Sequence, residues 1–435
     1  MLMRAREWHC GPFDLDLSSP FVMGICNVTP DSFSDGGVHA TAPEAIEHAR
    51  KLLASGADII DVGGESTRPG AGEVSPEVEL ERVLPVVREL AVQGAMVSID
   101  TRHASVAAAC IDAGVCIIND VSGFRDADMR DVAARSDVGL VVMHMRGTPK
   151  TMQDAPAYDD VVYDVEQELM RMVTRLTTEG VEPERICLDF GIGFGKNVVH
   201  NLRLMQATAH FTELGYPLMA AVSRKSFIGA ITGESAPASR DHASALCAAF
   251  MVDQGACVAR VHNVVETREM LRDSHRAVIG LGSNMGNSCG HIDDALTSLR
   301  LNPDIWIGAV SEYVMSEPAY MEAQDSFVNA VAAIQTTLPP RELLRVLHGL
   351  EEEHGRVRGI ENGPRPLDLD IIDYSGVVCA DEELDLPHPL ALERDFVVTP
   401  LLDIMPGYVL ANGVAATHDD VTVGKVTGPA REVLD

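Results

Sequence analysis

The chain reads as an α/β protein, with an N-terminal (β/α)8 TIM barrel followed by a ferredoxin-like α/β (α+β) sandwich. Three observations predict this. Between residues 21 and 264, eight short apolar segments alternate with stretches of helical spacing. Polar residues gather at the C-terminal ends of those segments, where barrel enzymes keep their chemistry. From Ala277 the order changes to strand, helix, strand, strand, helix, strand, the order of a ferredoxin-like domain.

The eight segments are FVMGICNV, DIIDVGG, MVSIDT, VCIINDVSG, LVVMHM, ICLDFGIG, LMAAVSR and CVARVHNV. Stretches such as PEAIEHARKLLASG and YDDVVYDVEQELMRMVTRLTTEG lie between them with helical apolar spacing. The polar ends are Asn27, Asp61, Asp100, Asn119, His144, Asp189, Arg224 and His262. A doubly wound open sheet is the alternative for this half. RDSHR (272–276) is a polar joint, so the domains are expected at 1–273 and 275–435. In the second domain the elements are AVIGLGS, 288–300, IWIGAVSEYVM, SFVNAVAAIQTT, 339–353 and PLDLDIIDY.

Bulk properties narrow the function. A chain of 435 residues suits two or three domains, and 46% hydrophobic residues supply their cores. No apolar run reaches membrane-spanning length and no signal peptide opens the sequence, so no membrane partner is expected. A net charge of −31 argues against nucleic acid as a partner. Anion sites must then be built locally from a few cations, helix N-termini and metal ions. Nine cysteines without metal spacing suit reduced thiols and a cytoplasmic location.

Five motifs in the first half carry chemistry. NVTPDSFSDGG (27–37) is too long for a tight barrel connection, and long loops at this face often cover a site. GGESTRPGAG (63–72) puts a single arginine, Arg68, among small residues, a weak anion signal by itself. DFGIGFGK (189–196) fits neither a phosphate loop nor a dinucleotide turn; its glycines suit close backbone approach to a flat ligand. SRKSFIGAI (223–231) sets Arg224, Lys225 and Ser226 where a helix begins, which favours a carboxylate or phosphate. ARVHNV (259–264) places Arg260 and His262 on one strand face, a pair suited to diphosphate. Asp100, Asn119 and Asp189, with Lys225, offer acceptors and donors to a nitrogen heterocycle. The bland alternative is that these groups satisfy one another.

Taken together, GICNVTPDSFSDGG, DIIDVGGESTRPGA, SIDT, INDVSG, GIGFGK, SRKSFIG and RVHNV resemble dihydropteroate synthase over about residues 18–272. That family joins 6-hydroxymethyl-dihydropterin diphosphate to 4-aminobenzoate and releases diphosphate. The resemblance implies that Asp100, Asn119, Asp189 and Lys225 hold the pterin. It implies that Asn27, Arg260 and His262 bind diphosphate, with one Mg2+ at Asn27. Asp35 and Phe33 would belong to the first loop. Thr67, Arg68 and Pro69 would help hold diphosphate and aminobenzoate, and Ser226 the benzoate carboxylate. Asp35, Lys225, Arg260 and His262 are the catalytic set it implies. It also implies a homodimer through barrel helices. Phe190 stands where a proline is expected and Asn263 where an acid is expected.

In the second half, GPRPLDLDIID (363–373) alternates apolar residues with Asp368 and Asp370. On a strand these share one face roughly 7 Å apart. A solvated strand face is the bland reading of such a pair. Against it, Arg356, Arg358, Arg365, Arg394 and His388 gather in the same short domain. Two Mg2+ ions bridging nucleotide phosphates, with arginines on the outer oxygens, account for both charge signs. AVIGLGSNMGN (277–287) nearly mimics a dinucleotide fingerprint but has one residue too many. FVNAV (327–331) alone would be core.

GLGSN, GPRPLDLDI and LPHP resemble 6-hydroxymethyl-dihydropterin diphosphokinase over about residues 276–410. That family transfers diphosphate from ATP to the pterin hydroxymethyl group. The resemblance implies metal ligation by Asp368 and Asp370, with charge stabilisation by Arg356, Arg358 and Arg365. Arg358, His388, Arg394 and Glu351 would be ATP-site residues. Phe327 and Phe396 would sandwich the pterin, with Asn329 and Gly282 reading its edge. Asn362 stands where an aromatic is expected. The expectation is a bifunctional folate-biosynthesis enzyme whose kinase product is the synthase substrate. The alternatives are a degenerate, non-catalytic barrel beside an active kinase, or a pterin-dependent methyltransferase-like barrel.

Overall fold

The computed structural model describes residues 5–29, 41–66, 72–148, 151–153, 156–321, 324–356, 363–381 and 383–430. Two compact units make up the chain, Met1–Leu271 and Arg272–Asp435.

The first unit is a closed barrel of eight parallel strands. In order they are Phe21–Asn27, Ile59–Gly63, Met96–Asp100, Ile117–Asp120, Gly139–Met143, Ile186–Asp189, Leu218–Ala220 and Val258–Val261. The eighth pairs back onto the first, Val258 opposite Phe21. Helices cover the outside and side chains fill the inside, so strands such as Ile59–Gly63 are buried at every position. Local chemistry starts the helices. Thr41 and Glu44 form a reciprocal capping box on Ala42–Ala54, and Asp160 caps Val161–Thr178. The seventh strand is shorter than LMAAVSR suggests, because the chain leaves the sheet after Ala220 and Arg224 adopts a left-handed φ of 59°.

A hairpin of Glu7–Cys10 and Phe13–Asp16, absent from the sequence reading, closes the N-terminal end of the barrel. Trp8, Cys10 and Leu15 pack there with Met23, Ile59, Ile117, Val141, Cys187 and Met219. The Trp8 indole N–H donates to the Arg185 carbonyl at 2.9 Å. With that end plugged by apolar groups, the polar strand ends collect at the other.

The polar joint read at 272–276 is not a loop. Helix Val264–Asp273 runs into it, and strand His275–Ser283 begins one residue later. Asn263, where an acid is expected, starts this helix: its Oδ1 accepts from the Glu266 amide and its Nδ2 donates to the Glu266 carboxylate.

The second unit is an antiparallel sheet with the order Asp368–Tyr374, His275–Ser283, Phe327–Thr336, then Ile305–Val310 and Val314–Ser316. In chain order this is 4-1-3-2, the ferredoxin-like arrangement. IWIGAVSEYVM forms two strands rather than one, both paired to Phe327–Thr336. Helices Ser288–Leu301 and Pro340–Glu353 cover one face, packing Leu296, Leu299, Leu343 and Leu347 against Ile279, Leu281, Leu369 and Ile371. Helix Asp395–Ile404 covers part of the other, with Val397 and Leu401 against Val278, Val331 and Ile372. That helix and the edge strand Val426–Pro429 extend the domain beyond the elements read from the sequence.

Among the described residues, no helix is long and apolar enough to cross a membrane.

Candidate functional site

In the barrel, parallel register puts Asn27, Gly63, Asp100 and Asn119 side by side in one row. Asp61 lies one inward-facing position below Gly63 on the same strand. Asn27, Asp100, Asn119, Asp189, Lys225, Ser226, Arg260 and His262 all line a single cavity of about 900 Å3. All eight were site candidates from sequence. Phe33, Asp35, Thr67, Arg68 and Pro69 lie outside the described residues.

The cavity floor is an ion network. Arg260 donates from Nε to Asp61 Oδ2 and from Nη2 to Asp100 Oδ2, both at 2.7 Å. Asn119 Nδ2 donates to the same Asp61 oxygen at 3.1 Å. Burial pushes the Asp100 carboxyl up to about 7, although Arg260 pulls the other way. Burial also raises Asp189, whose Oδ1 accepts from the Gly191 amide at 2.8 Å. It pushes the Lys225 ammonium down to about 8. Lys225 Nζ sits 4.0 Å from the centre of the Phe194 ring. His262 Nδ1 is 2.9 Å from Ser223 Oγ, which also accepts from the His262 amide. Arg224 does not face the cavity as a free cation. Its guanidinium forks onto Asp241 at 2.6 and 2.8 Å, which anchors the turn carrying Lys225 and Ser226. Phe190, in place of the expected proline, packs on Phe211 with ring centres 4.4 Å apart.

In the second unit, the strand alternation holds. Leu369 and Ile371 enter the core while Asp368 and Asp370 face the other way. Gly282 pairs with Asp368 on one side and Asn329 on the other, so the three form one row across the sheet. A Cβ on Gly282 would stand 2.9 Å from Asn329 Oδ1, so only glycine leaves this floor open. Gly282, Phe327, Asn329, Arg365, Asp368, Arg394 and Phe396 line one pocket.

Arginines surround the Asp pair. Asp368 takes Arg356 on Oδ1 and Arg365 on Oδ2, both at 2.6 Å, and Arg394 lies 3.6 Å from Asp370. Arg394 also stands 5.7 Å from the centres of the Phe396 and Tyr320 rings, and Arg365 5.5 Å from that of Phe327. Burial, then Asp370, raises the Asp368 carboxyl despite these cations. Glu351 is buried beneath the pair, where its Oε1 accepts from the Leu369 amide and from Arg356. Its Oε2 has no partner among the described residues, and burial pushes the group up to about 7. His388 is not part of this pocket lining; it borders a separate groove with Pro387, Leu392 and Leu410. Burial, helped by Arg394, holds its ring down at about 4. Arg358 and Asn362 lie outside the described residues.

Several participants were not singled out from sequence. Asp61 had been noted only as a polar strand end, yet a charge inside DIIDVGG at the parity of the inward Gly63 was a signal. Ser223, Phe194, Lys196 and Tyr320 carry none, since each acts through a contact made by a distant segment. Asn284 clasps the loop before the Asp pair, exchanging hydrogen bonds with the Arg365 backbone at 2.9 and 3.1 Å. Among the described residues, no group of three or more His, Cys, Asp or Glu side chains is arranged to hold a metal ion by itself.

Known proteins match this arrangement in two blocks. The model for pterin binding enzymes matches residues 23–262, and that for 7,8-dihydro-6-hydroxymethylpterin-pyrophosphokinase matches residues 278–406. A dihydropteroate synthase of Neisseria meningitidis serogroup C is 45% identical over 274 residues, 62% of this chain and 97% of that protein. One from Escherichia coli K12 is 46% identical over 259 residues, 59% of this chain and 92% of that protein. Among solved structures, the Xanthomonas albilineans dihydropteroate synthase with 4-aminobenzoic acid is 41% identical, with a TM-score of 0.58. It covers 61% of this chain and 96% of its own. The Burkholderia cenocepacia dihydropteroate synthase complexed with 7,8-dihydropteroate is 40% identical with a TM-score of 0.56, covering 61% and 94%. A methyltransferase-like barrel and a non-catalytic barrel are not favoured by these likenesses. The chain belongs to the pterin binding enzyme family, as a dihydropteroate synthase barrel followed by a hydroxymethyl-dihydropterin pyrophosphokinase domain, and is a bifunctional enzyme of folate biosynthesis.

Proposed function

We propose that the pocket of residues 275–435 binds ATP and hydroxymethyl-dihydropterin, and the barrel cavity of residues 1–273 binds the pterin diphosphate and 4-aminobenzoate. The observation that carries the barrel assignment is the juxtaposition of Asp100, Asn119, Asp189 and Lys225 with Arg260 and His262 in one cavity. A heterocycle with alternating N–H and ring nitrogen groups meets the first four; an oxyanion meets the last two.

In the kinase half, Phe327 and Phe396 sandwich the bicyclic ring, while Asn329 and the Gly282 backbone read its edge. The pterin hydroxyl oxygen attacks the β-phosphorus of ATP and loses its proton to solvent, the bond from that phosphorus to the oxygen bridging it to the α-phosphate breaks, and AMP leaves with that oxygen. Arg356, Arg358 and Arg365 neutralise charge on the transferring group, and Arg394, His388 and Glu351 belong to the ATP site. Asp368 and Asp370 fit Mg2+: they are hard oxygen donors on one face, and burial beside each other raises Asp368 in a way a divalent cation relieves. Asp368 and Asp370 would hold two Mg2+ ions together with the nucleotide, and the ions would supply charge neutralisation on the phosphates.

In the synthase half, the bond from the pterin methylene carbon to diphosphate oxygen breaks first. Arg260 and His262 take the leaving group's charge, while Thr67, Arg68 and Pro69 help hold diphosphate and aminobenzoate. Asn27 would offer an amide oxygen to one Mg2+, which would supply further screening of that charge. The carboxylates of Asp35 and Asp100 stabilise the pterin cation, and Phe33 is a further substrate-binding residue. The amine of 4-aminobenzoate then attacks the methylene carbon and loses a proton, with its carboxylate at Ser226.

Two further readings accompany this one. The copies pair through barrel helices as a homodimer, which light scattering would test. All nine cysteines are free thiols, in keeping with the cytoplasm. The function is tested by supplying pterin diphosphate, 4-aminobenzoate and Mg2+ and measuring diphosphate release; no release means that the barrel is not catalytic.

A further inference from the structure

The loop after the sixth barrel strand touches both Asp189 and Lys225. The Gly191 N–H donates to Asp189 Oδ1 at 2.8 Å, and the Phe194 ring lies 4.0 Å below Lys225 Nζ. The same loop ends in a buried cation that borders the cavity and has no part in the reaction as derived above. Lys196 is 3% exposed. Its Nζ lies 3.0 Å from each of three acceptors: Gly191 O, Phe194 O and His144 Nδ1. An ammonium has three N–H bonds and no lone pair, so these acceptors satisfy it. His144 Nδ1 must then be the acceptor, which places the imidazole proton on Nε2. That proton is donated to Glu168 Oε2 at 2.9 Å, and Glu168 in turn takes Arg146 Nε at 2.8 Å. Such a chain fixes a tautomer and orients each member through the next.

We propose that Lys196 is a positioning residue for the pterin site, its ammonium pinning the Gly191 and Phe194 carbonyls so that this loop seats Asp189 and Lys225. The inference rests on the reading of those two residues as pterin ligands. Gly191 has a left-handed φ of 65°, and a Cβ there would collide with the His144 carbonyl. The loop thus lies against the strand that carries His144, and Lys196 ties the two together. Aminobenzoate is assigned to Ser226, outside this network, so a loosened loop should act on one substrate alone.

The test uses the full chain and steady-state synthase kinetics with 6-hydroxymethyl-dihydropterin diphosphate and 4-aminobenzoate. Lys196→Met should raise the pterin diphosphate KM about tenfold or more while the aminobenzoate KM stays within about twofold. His144→Gln, which alters one acceptor and leaves the loop sequence intact, should move the same KM in the same direction by about threefold. It decides the matter if Lys196→Met does not fold. Equal shifts in both KM values, or none, would reduce Lys196 to a fold-stabilising residue and overturn the proposal. Lys225→Met separates the two levels. If it raises the pterin diphosphate KM while Lys196→Met and His144→Gln do not, only the positioning role fails. If it leaves that KM unchanged, the pterin-site reading fails and takes the positioning role with it.

Discussion

Arg260 on the eighth barrel strand donates from Nε to Asp61 Oδ2 on the second at 2.7 Å, across 199 positions of sequence. Asp61 is completely buried, and its other oxygen has no partner among the described residues. Breaking a buried pair leaves an uncompensated charge, which typically costs about 3–5 kcal/mol. Asp61→Asn should keep the amide contacts but misorient Arg260, lowering synthase kcat/KM by roughly 10- to 100-fold, or about 1.4–2.7 kcal/mol. The pyrophosphokinase rate of the same sample should not change. Parallel assays of both reactions check this.

The Asp370 side chain is 38% exposed, so shortening it should not unfold the domain. Asp370→Ala should lower AMP formation on the order of a thousandfold or more, by removing a ligand for the cations that neutralise the phosphates. Dihydropteroate synthesis from added pterin diphosphate should be spared. Retained AMP formation would remove Asp370 from the metal site.

Gly424 tests the kinase pterin pocket from behind. It has a φ of 65°, and a Cβ there would run into the Phe396 ring. Gly424→Ala should displace Phe396 and raise the hydroxymethyl-dihydropterin KM on the order of tenfold, with the ATP KM nearly unchanged. An unaltered pterin KM would show that Phe396 does not stack on substrate.

The synthase should have a bell-shaped pH dependence of kcat/KM for pterin diphosphate. Asp100, pushed up to about 7 by burial, is protonated and neutral below that pH, and so unable to stabilise a cation. Lys225, pushed down to about 8 by burial, loses a donated proton above it. Lys196, also lowered by burial to about 7, loses its proton in the same direction and steepens the alkaline side. Asp100→Asn should abolish the acidic limb. A profile still rising above pH 9 would contradict these roles.

Trp8 tests the plug at the far end of the barrel. It is fully buried and hydrogen-bonded to the Arg185 carbonyl. Trp8→Ala should destabilise the barrel by about 3–5 kcal/mol. Denaturant melts followed through synthase activity should show it, while the pyrophosphokinase transition stays in place.

The contrast between these residues explains what the sequence revealed. The barrel was legible because short runs such as DIIDVGG are buried on both faces, and because the charges within them gather at one end, where Asp61 and Asp100 pair with Arg260. The shared face of Asp368 and Asp370 was legible through the period of two, since Leu369 and Ile371 enter the core. The hairpin around Trp8 was not, because four-residue strands gain their meaning only from the barrel end they cover. Helix Asp395–Ile404 was obscured by Pro400 within it. Lys196 read only as a failed phosphate loop, since its role depends on His144, 52 residues earlier. His388, inside the LPHP motif, lines a different groove from the pocket bordered by Asp368, a direction that spacing alone does not encode.

The central claim is that one chain performs two consecutive reactions. The most direct measurement supplies the purified chain with ATP, Mg2+, hydroxymethyl-dihydropterin and 4-aminobenzoate, and follows AMP and dihydropteroate together. Both should accumulate, with one AMP formed for each dihydropteroate at steady state. AMP without dihydropteroate, even after pterin diphosphate is added, would contradict the claim.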